Sequence, residues 1–221
     1  MAIILNIDTA VESASVCLAK DAKTLQFAVN NNQKDHASWL HLAIQKVIAD
    51  AGWSIKDIEA VAVTIGPGSY TGLRVGLSAA KGLCFALNIP LIAINTLEMM
   101  ANAVQKTKAD MICPLIDARR MEVFMAVYDK SMQEIVKPCA MIIKPGSFDS
   151  LLASGKIQFS GNGSKKLREI IVHSNAIFNN FIATAADMIF LSEKKNIEKN
   201  FTNLSYVEPF YIKEFYSPSR L

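Results

Sequence analysis

The sequence predicts an α/β protein with two similar halves, each built on a mixed β-sheet. Three observations support this: the chain begins with three short strands, helices and strands then alternate, and a second strand–turn–strand unit near the middle resembles the first. A meander followed by βαβ crossovers gives both antiparallel and parallel pairing. The 221 residues suffice for two compact halves, which we place at residues 1–105 and 106–221, with the C-terminal tail free to return to the first half.

The first half opens with three predicted strands. Residues 2–8 form an apolar run typical of a buried strand, and short polar connections lead to strands at residues 15–20 and 24–30. Residues 36–51 then carry apolar side chains at helical spacing, and Gly52 stands where a helix ends.

Alternation of strand and helix completes the first half. A strand is predicted at residues 58–65, a helix at residues 72–87 and a short strand at residues 91–94. The succession of meander and crossovers is typical of a ribonuclease-H-like mixed sheet.

The second half begins in the same way as the first. Residues 111–116 form a strand that ends at Asp117, and residues 122–129 form its hairpin partner, just as residues 2–8 end at Asp8 before their own partner. This pattern indicates an internal repeat, although two unrelated hairpins would give the same pattern. The remaining predicted elements are a helix at 145–153, a strand at 156–159, a turn at 161–163, a helix from about 164 and a helix at 185–194.

Charged residues make up 19% of the chain, against a usual share of roughly 25%. A low charge content is typical of a protein whose surface is partly covered by a partner, and it fits a slightly apolar monomer equally well. The formal net charge of +3 does not by itself indicate a nucleic-acid-binding surface.

The cysteines and the most apolar segment indicate a cytoplasmic protein. None of the four cysteines forms a CxxC pair, and each lies in an apolar run, so we expect buried, reduced thiols. The N-terminus lacks the basic and apolar regions of a signal peptide. Residues 83–94 are interrupted by Asn88 and Pro90 and are too short to cross a membrane.

The strongest local motif is a glycine-rich turn between a strand and a helix, Gly-Pro-Gly-Ser-Tyr-Thr-Gly-Leu-Arg-Val-Gly at residues 66–76. Glycines permit close backbone approach, and a helix N-terminus attracts anions, so a phosphate contact is one interpretation. The alternative is a tight turn whose glycines serve packing alone. The motif matches neither a Walker A loop nor GxGxxG. The candidate phosphate contacts are Asp8, Thr9, Gly66, Gly68 and Gly72.

The helix after this turn is unusually apolar. Its few polar residues, Arg74, Ser78 and Lys81, form one narrow stripe, whereas a helix that lies on a sheet buries only one face. We therefore expect the additional apolar face to be covered, either by the chain's own second half or by a helix of another chain. The predicted partner-binding residues are Trp39, Leu42, Leu73, Gly76, Leu77, Ala80, Leu83 and Cys84.

The sequence contains no recognisable catalytic or metal-binding constellation. His36 and His41 are five residues apart, whereas helical metal pairs are four apart, and His173 is isolated. No serine stands in a GxSxG motif, and no cysteine has an obvious histidine partner. We therefore expect no catalytic residue and no metal site in this chain.

The aspartates at the two hairpins, Asp8 and Asp117, occupy the position of the first residue of a DxG[TS] phosphate hairpin in sugar kinases and actin-like ATPases. In this chain Thr9-Ala10 and Ala118-Arg119 follow, so the glycine is missing from both hairpins. Aspartates that bond the hairpin backbone are the favoured interpretation.

Three segments together resemble the TsaB (YeaZ) family of bacterial proteins that act in the synthesis of tRNA threonylcarbamoyladenosine. They are residues 4–10, residues 60–76 with the glycine motif, and residues 117–123. The resemblance covers most of residues 3–128, and the glycine motif distinguishes this family from sugar kinases and ordinary ATPases. Residues 160–163 and 209–213 fit the family more loosely.

The resemblance implies a duplicated actin-like (ASKHA) fold and a non-catalytic scaffold or activator subunit. Its implied partners are TsaD, a catalytic paralogue that binds metal through an HxxxH motif absent here, and TsaE, an ATPase. It implies pairing through helices of the first half and tRNA reached only through the complex. No cofactor is expected to be required by this chain, and ATP or ADP at the partner interface is an open alternative. An apolar face without its partner also favours a homodimer when the chain is alone. The alternative from the residues is an actin-like nucleotide-binding enzyme, either an ATPase or phosphotransferase or a peptidase.

Overall fold

The computed structural model describes residues 2–32 and 35–213, and its framework is a pair of five-stranded mixed sheets. The strands of the first sheet are β1 (Ile3–Asp8), β2 (Ala14–Lys20), β3 (Lys23–Asn30), β4 (Ala60–Gly66) and β5 (Leu91–Asn95). The strands of the second sheet are β6 (Met111–Asp117), β7 (Glu122–Asp129), β8 (Glu134–Ile142), β9 (Ile157–Ser160) and β10 (Ala176–Asn179).

The two sheets have the same topology. Their strand orders are β3-β2-β1-β4-β5 and β10-β9-β6-β7-β8. In the first, β1 pairs antiparallel with β2 and parallel with β4; in the second, β6 pairs antiparallel with β7 and parallel with β9. The duplicated mixed-sheet fold predicted from the sequence is therefore confirmed, and the repeated hairpin is part of it.

Helices lie on both faces of the sheets. Their bounds are α1 (His36–Asp50), α2 (Tyr70–Leu87), α3 (Thr96–Ala103), α4 (Asp149–Ser154), α5 (Ser164–Arg168) and α6 (Ile189–Ile197), with 3-10 turns at Ile55–Asp57 and Ala185–Met188. Within the described ranges, no helix combines the length and the hydrophobicity that crossing a membrane requires.

The hydrophobic cores follow a helix–sheet–helix–sheet–helix arrangement. The helices α1 and α2 pack on the outer face of the first sheet, and the residues around α4 and α5 pack on the outer face of the second. A central core joins the sheets through α3, α6 and the second 3-10 turn, so that Ile4, Ile94 and Ile112 share one cluster. Because this core is shared, the division at residues 105 and 106 stays a prediction.

Several elements differ from those predicted. The helix α3 and the strands β8 and β10 were not predicted, and α4 begins only at Asp149 rather than at Pro145. Both strands are sheet edges, and edge strands lack the continuous apolar run of a central strand. In β8 the run is also interrupted by Lys137 and Pro138.

The C-terminal segment, residues 200–213, returns to the first half. Thr202 pairs with Leu91 at the exposed edge of β5. Further along, Val207 is buried against the core that α2 contributes to, and the Phe210 amide donates to the Ile65 carbonyl at 2.7 Å. The segment therefore covers the edge of the first sheet and one flank of α2.

The four cysteines are free thiols. Cys17, Cys84 and Cys113 are buried, as the sequence predicts, whereas Cys139 on the edge strand β8 is partly exposed. The prediction of burial is wrong for Cys139 because an edge strand has a neighbour on one side only.

Candidate functional site

The glycine-rich turn packs directly onto the first hairpin of the chain. The Ser69 amide donates a hydrogen bond of 2.7 Å to the Ala10 carbonyl. A Cβ atom added at Gly68 would overlap that carbonyl oxygen, and one added at Gly72 would overlap the carbonyl oxygen of Thr9. Both glycines are therefore required by the close approach of two backbone segments.

The same turn also approaches the C-terminal segment. Gly66 has a φ of +125°, a conformation that side chains disfavour, and a Cβ there would overlap the Phe210 carbonyl oxygen. The turn ends at Ser69, whose hydroxyl accepts a hydrogen bond from the Gly72 amide at 3.2 Å. This cap starts α2 at Tyr70, two residues earlier than predicted.

Asp8 is buried at the end of β1 rather than exposed to a ligand. Its Oδ1 accepts hydrogen bonds from the Thr64 hydroxyl at 2.7 Å and from the Ala10 amide at 3.0 Å. Its Oδ2 has no hydrogen-bond partner among the described residues. Burial raises the pKa of Asp8 to about 6, although the bonds from Ala10 and Thr64 favour the charged form.

The five residues predicted to contact a phosphate thus all make internal contacts. The contacts of Asp8 and of the three glycines are given above, and the Thr9 hydroxyl donates a hydrogen bond of 2.7 Å to the Gly72 carbonyl. The packing interpretation accounts for every one of these contacts, and a direct phosphate contact from these residues stays a prediction.

Asp117 has a more exposed and more polar environment than Asp8. Its Oδ1 accepts from the Lys166 ammonium and from the Arg119 amide, both at 2.6 Å. Partial burial raises the pKa of Asp117, but the Lys166 and Arg119 bonds outweigh that effect and lower it below its ordinary value. The carboxylate therefore holds the backbone of its hairpin, as the sequence predicts.

The first and second hairpins face each other across a cleft of about 760 Å³. The first wall is formed by residues 10–12 and 68–71, the latter at the N-terminal end of α2. The second wall is formed by residues 116–120 with Phe124, and Asn162 and Lys166 stand beside it; the cleft thus lies between the two halves of the chain.

The predicted partner surface on α2 requires a correction. Leu73, Leu77, Ala80 and Cys84 are at most 4% exposed, and the last three pack in the core on the outer face of the first sheet. Gly76 is buried too, because a Cβ there would overlap the hydroxyl of Thr9. These five residues belong to the core of this chain and present no surface to a partner.

On α1 and α2, the exposed apolar side chains lie on the helix faces that point away from the first sheet. Leu42 is 67% exposed and Phe85 is 82% exposed, while Trp39 and Leu83 are half-buried. The sequence analysis did not single out Phe85. Its position continues the polar stripe of Arg74, Ser78 and Lys81, so an apolar residue there was the available signal of an exposed apolar side chain.

A groove of about 530 Å³ separates these two helices. Its lining is mostly small or apolar: Ala37, Val75, Ala79, Gly82 and Leu83, together with the polar residues His41, Arg74 and Ser78. A Cβ added at Gly82 would meet no atom within 4 Å, so this part of α2 is open. We call the groove with Leu42 and Phe85 the α1–α2 surface.

The chain's own C-terminal segment covers another part of α2. The Lys81 ammonium donates to the Val207 carbonyl at 3.3 Å, and Val207 is buried beside the helix. Tyr211 stacks on Tyr70 at the start of α2, with ring centroids 4.8 Å apart. One flank of α2 is thus covered by the chain's own second half, and the α1–α2 surface is open; its cover by a helix of another chain stays a prediction.

The whole chain is similar to proteins of one family. A family model described as TsaD, tRNA N6-adenosine threonylcarbamoyltransferase, matches residues 28–208. The tRNA threonylcarbamoyladenosine biosynthesis protein TsaB of Escherichia coli (strain K12) is 29% identical over 218 residues, which cover 95% of this chain and 94% of that protein. TsaB of Bacillus subtilis (strain 168) is 32% identical over 125 residues, which cover 57% of this chain and 54% of that protein.

The fold is shared with solved structures as well. A structure described as YeaZ from Pseudomonas aeruginosa has a TM-score of 0.81 at 22% identity, covering 96% of this chain and all of its own. Because the family model spans most of the chain and the relatives cited carry the TsaB name, the chain belongs to the family of the tRNA N6-adenosine threonylcarbamoyltransferase (TsaD) model, as a member of its TsaB (YeaZ) group.

Proposed function

We propose that this chain is a non-catalytic subunit in the formation of N6-threonylcarbamoyladenosine in tRNA, and that it pairs with a TsaD-like catalytic paralogue through the α1–α2 surface. The family assignment and the names of the relatives support the pathway. The observation that carries the pairing is the open groove between two helices whose exposed positions include Leu42 and Phe85.

The shape and chemistry of the α1–α2 surface suit a helix as the partner element. Gly82 and Ala37 leave room for close backbone approach in the groove, and Leu42 and Phe85 are large, exposed apolar side chains on the same two helices. Burying such a side chain contributes about 1.5–3 kcal/mol. An open groove flanked by exposed apolar side chains is typical of an interaction site.

The internal contacts of the hairpins favour an accessory role over the enzyme alternative. Asp8 is buried, and the backbone of Thr9 and Ala10 is occupied by the glycine turn. Among the residues that the structure describes, no group of three histidine, cysteine, aspartate or glutamate side chains is arranged to hold a metal ion. The reaction chemistry is therefore assigned to the partner.

The remaining components of the assembly are part of the same proposal. An ATPase related to TsaE joins the pair, and ATP or ADP binds at the interface with the partner rather than at Asp8 and the glycine turn. In the absence of the partner, the α1–α2 surface pairs with a second copy of the chain, because self-association removes its apolar side chains from water.

The test is complex formation with the cognate TsaD-like protein on a sizing column. Gly82→Arg and Phe85→Glu should each weaken pairing at least tenfold, because the first places bulk and charge in the groove and the second replaces an exposed apolar side chain of the α1–α2 surface by a charged one. Ile197→Glu is the matched control, since Ile197 is 72% exposed on α6, away from the surface. Pairing that survives both groove substitutions, in chains whose thermal unfolding is unchanged, would refute the proposed surface.

A further inference from the structure

The cleft between the two hairpins is lined by two exposed arginines. Arg119 and Arg120 line the second wall, and among the described residues neither guanidinium forms an ion pair. The neighbouring carboxylates are already satisfied: Asp117 by Lys166 at 2.6 Å, and Glu122 by Lys213 at 2.6 Å. Arg119 is close enough to Asp117 to help lower the pKa of that carboxyl, and both arginine side chains remain exposed at the cleft.

The backbone that carries these arginines is held in an unfavourable conformation. Arg119, Arg120 and Met121 have φ values of 67°, 45° and 60°, the left-handed region in which glycine is preferred. The Arg119 amide donates to Asp117 Oδ1, and the Asp117 amide donates to Asn162 Oδ1 at 2.9 Å. These two hydrogen bonds hold the turn that places Arg119 and Arg120 at the wall of the cleft.

The opposite wall of the cleft also favours a negatively charged ligand. It contains the start of α2, where the helix dipole is positive, although the Ser69 and Gly72 amides there already donate within the chain. Ser69 and Thr71 add hydroxyl groups there. Glu12 is the one acidic residue among those named for this wall. Outside the cleft, the helix α5 carries the exposed cations Lys165 and Arg168.

The shape of the cleft suits the phosphates of a nucleic acid better than those of a nucleoside triphosphate. A nucleoside triphosphate in such a cleft needs hairpin backbone that wraps its phosphates, but residues 9 and 10 are covered by the glycine turn. Long arginine side chains along an open cleft instead suit the phosphodiester backbone of a nucleic acid, whose affinity comes from neutralised phosphates.

We propose that the cleft between the hairpins binds backbone phosphates of an RNA strand through Arg119 and Arg120. RNA is chosen over DNA because the proposed function places this chain in a tRNA modification pathway, so the inference rests on that function. It changes the expectation that tRNA is reached only through the complex: this chain supplies contacts of its own.

The experiment measures binding of a labelled, unmodified tRNA transcript to the full chain, alone and with its TsaD-like partner, between 50 and 200 mM salt. The double variant Arg119→Gly, Arg120→Gly should weaken binding at least tenfold at the lowest salt. It should also reduce the slope of log affinity against log salt by about 1.4–1.8, since each phosphate contributes about 0.7–0.9. Its melting temperature should not fall, because glycine suits this backbone.

Lys199→Gly is the matched control, because Lys199 is an exposed cation with a φ of 53° outside the cleft. Unchanged tRNA binding by the double variant would overturn the proposal. So would displacement of the tRNA by millimolar ATP, which would make the cleft a nucleotide site. Pairing with the partner is scored separately on the sizing column, so loss of pairing with intact RNA binding counts against the proposed function alone.

Discussion

A side chain added at Gly76 would overlap the hydroxyl oxygen of Thr9, which itself donates a hydrogen bond to the Gly72 carbonyl. The first hairpin and α2 are thus in contact at a position where only glycine fits. This contact explains why the glycine motif continues one turn into the helix. It also makes Gly76 a packing residue, although the sequence had suggested a partner-binding one.

Gly76→Ala should therefore destabilise the fold despite the higher helix propensity of alanine. We expect a loss of about 1–3 kcal/mol in the free energy of unfolding, since the added methyl group forces the hairpin and the helix apart. Urea denaturation measures this. Gly82→Ala is the control: the space around Gly82 is open, so alanine should stabilise the helix by up to about 1 kcal/mol. Equal effects of the two substitutions would contradict the contact.

Asp8→Asn should increase stability at neutral pH. Burial raises the pKa of Asp8 to about 6 from an ordinary value of 3.8, so the folded chain binds more protons than the unfolded chain between these values. Stability contributed by the protonated acid is therefore lost as the pH rises from about 4 to about 6, by roughly 3 kcal/mol in total.

The measurement is the free energy of unfolding as a function of pH. The asparagine variant should lack this decline and should match the native protein near pH 4. A native chain whose stability rises between pH 4 and pH 6 while the variant stays constant would show that the carboxylate is stabilised in its site.

Phe85→Ser and Leu77→Ala should have opposite consequences, because the two residues lie on different faces of α2. Phe85 is 82% exposed, so its replacement should change stability by no more than about 0.5 kcal/mol. Leu77 is 4% exposed and faces the first sheet, so its truncation should cost about 2–5 kcal/mol. Thermal unfolding of the two variants side by side decides whether α2 has the orientation described.

Val207→Asp tests the return of the C-terminal segment to the first half. The side chain is 9% exposed, and an unpaired carboxylate there should cost more than about 2 kcal/mol or detach the segment from α2. The neighbouring Tyr206 is 83% exposed, so Tyr206→Asp should be nearly neutral. Limited proteolysis followed by mass spectrometry should show faster cleavage between residues 200 and 213 in the first variant only.

The thiols should differ in reactivity. Burial raises the pKa of Cys17 and of Cys84 to about 11, and it raises the pKa of Cys113 well above its ordinary value. Cys139 is partly exposed, although burial raises its pKa too. Iodoacetamide at pH 8 should therefore modify Cys139 first and the other three only after unfolding. Early labelling of Cys113, read by peptide mass spectrometry, would contradict the described core.

The sequence was informative about the central strands and the long helices. The apolar runs at residues 2–8 and 111–116 predicted β1 and β6, because strands that are buried on both faces need apolar residues throughout. It was less informative about β8 and β10. An edge strand is stabilised by pairing with one neighbour, and its own residues need not be apolar.

For the candidate site, the sequence by itself determined that α2 carries more apolar residues than one sheet contact buries, and that both hairpins lack the phosphate-binding glycine. Only the tertiary structure decided which face of α2 is open. The rotation of the helix about its axis depends on the sheet and on the C-terminal segment that pack against it. The tertiary structure placed Leu77 in the core, Val207 over one flank and Phe85 in solvent. It also brought Arg119 and Arg120 across a cleft from the start of α2, because residues nearly fifty positions apart meet only when the two sheets share a core.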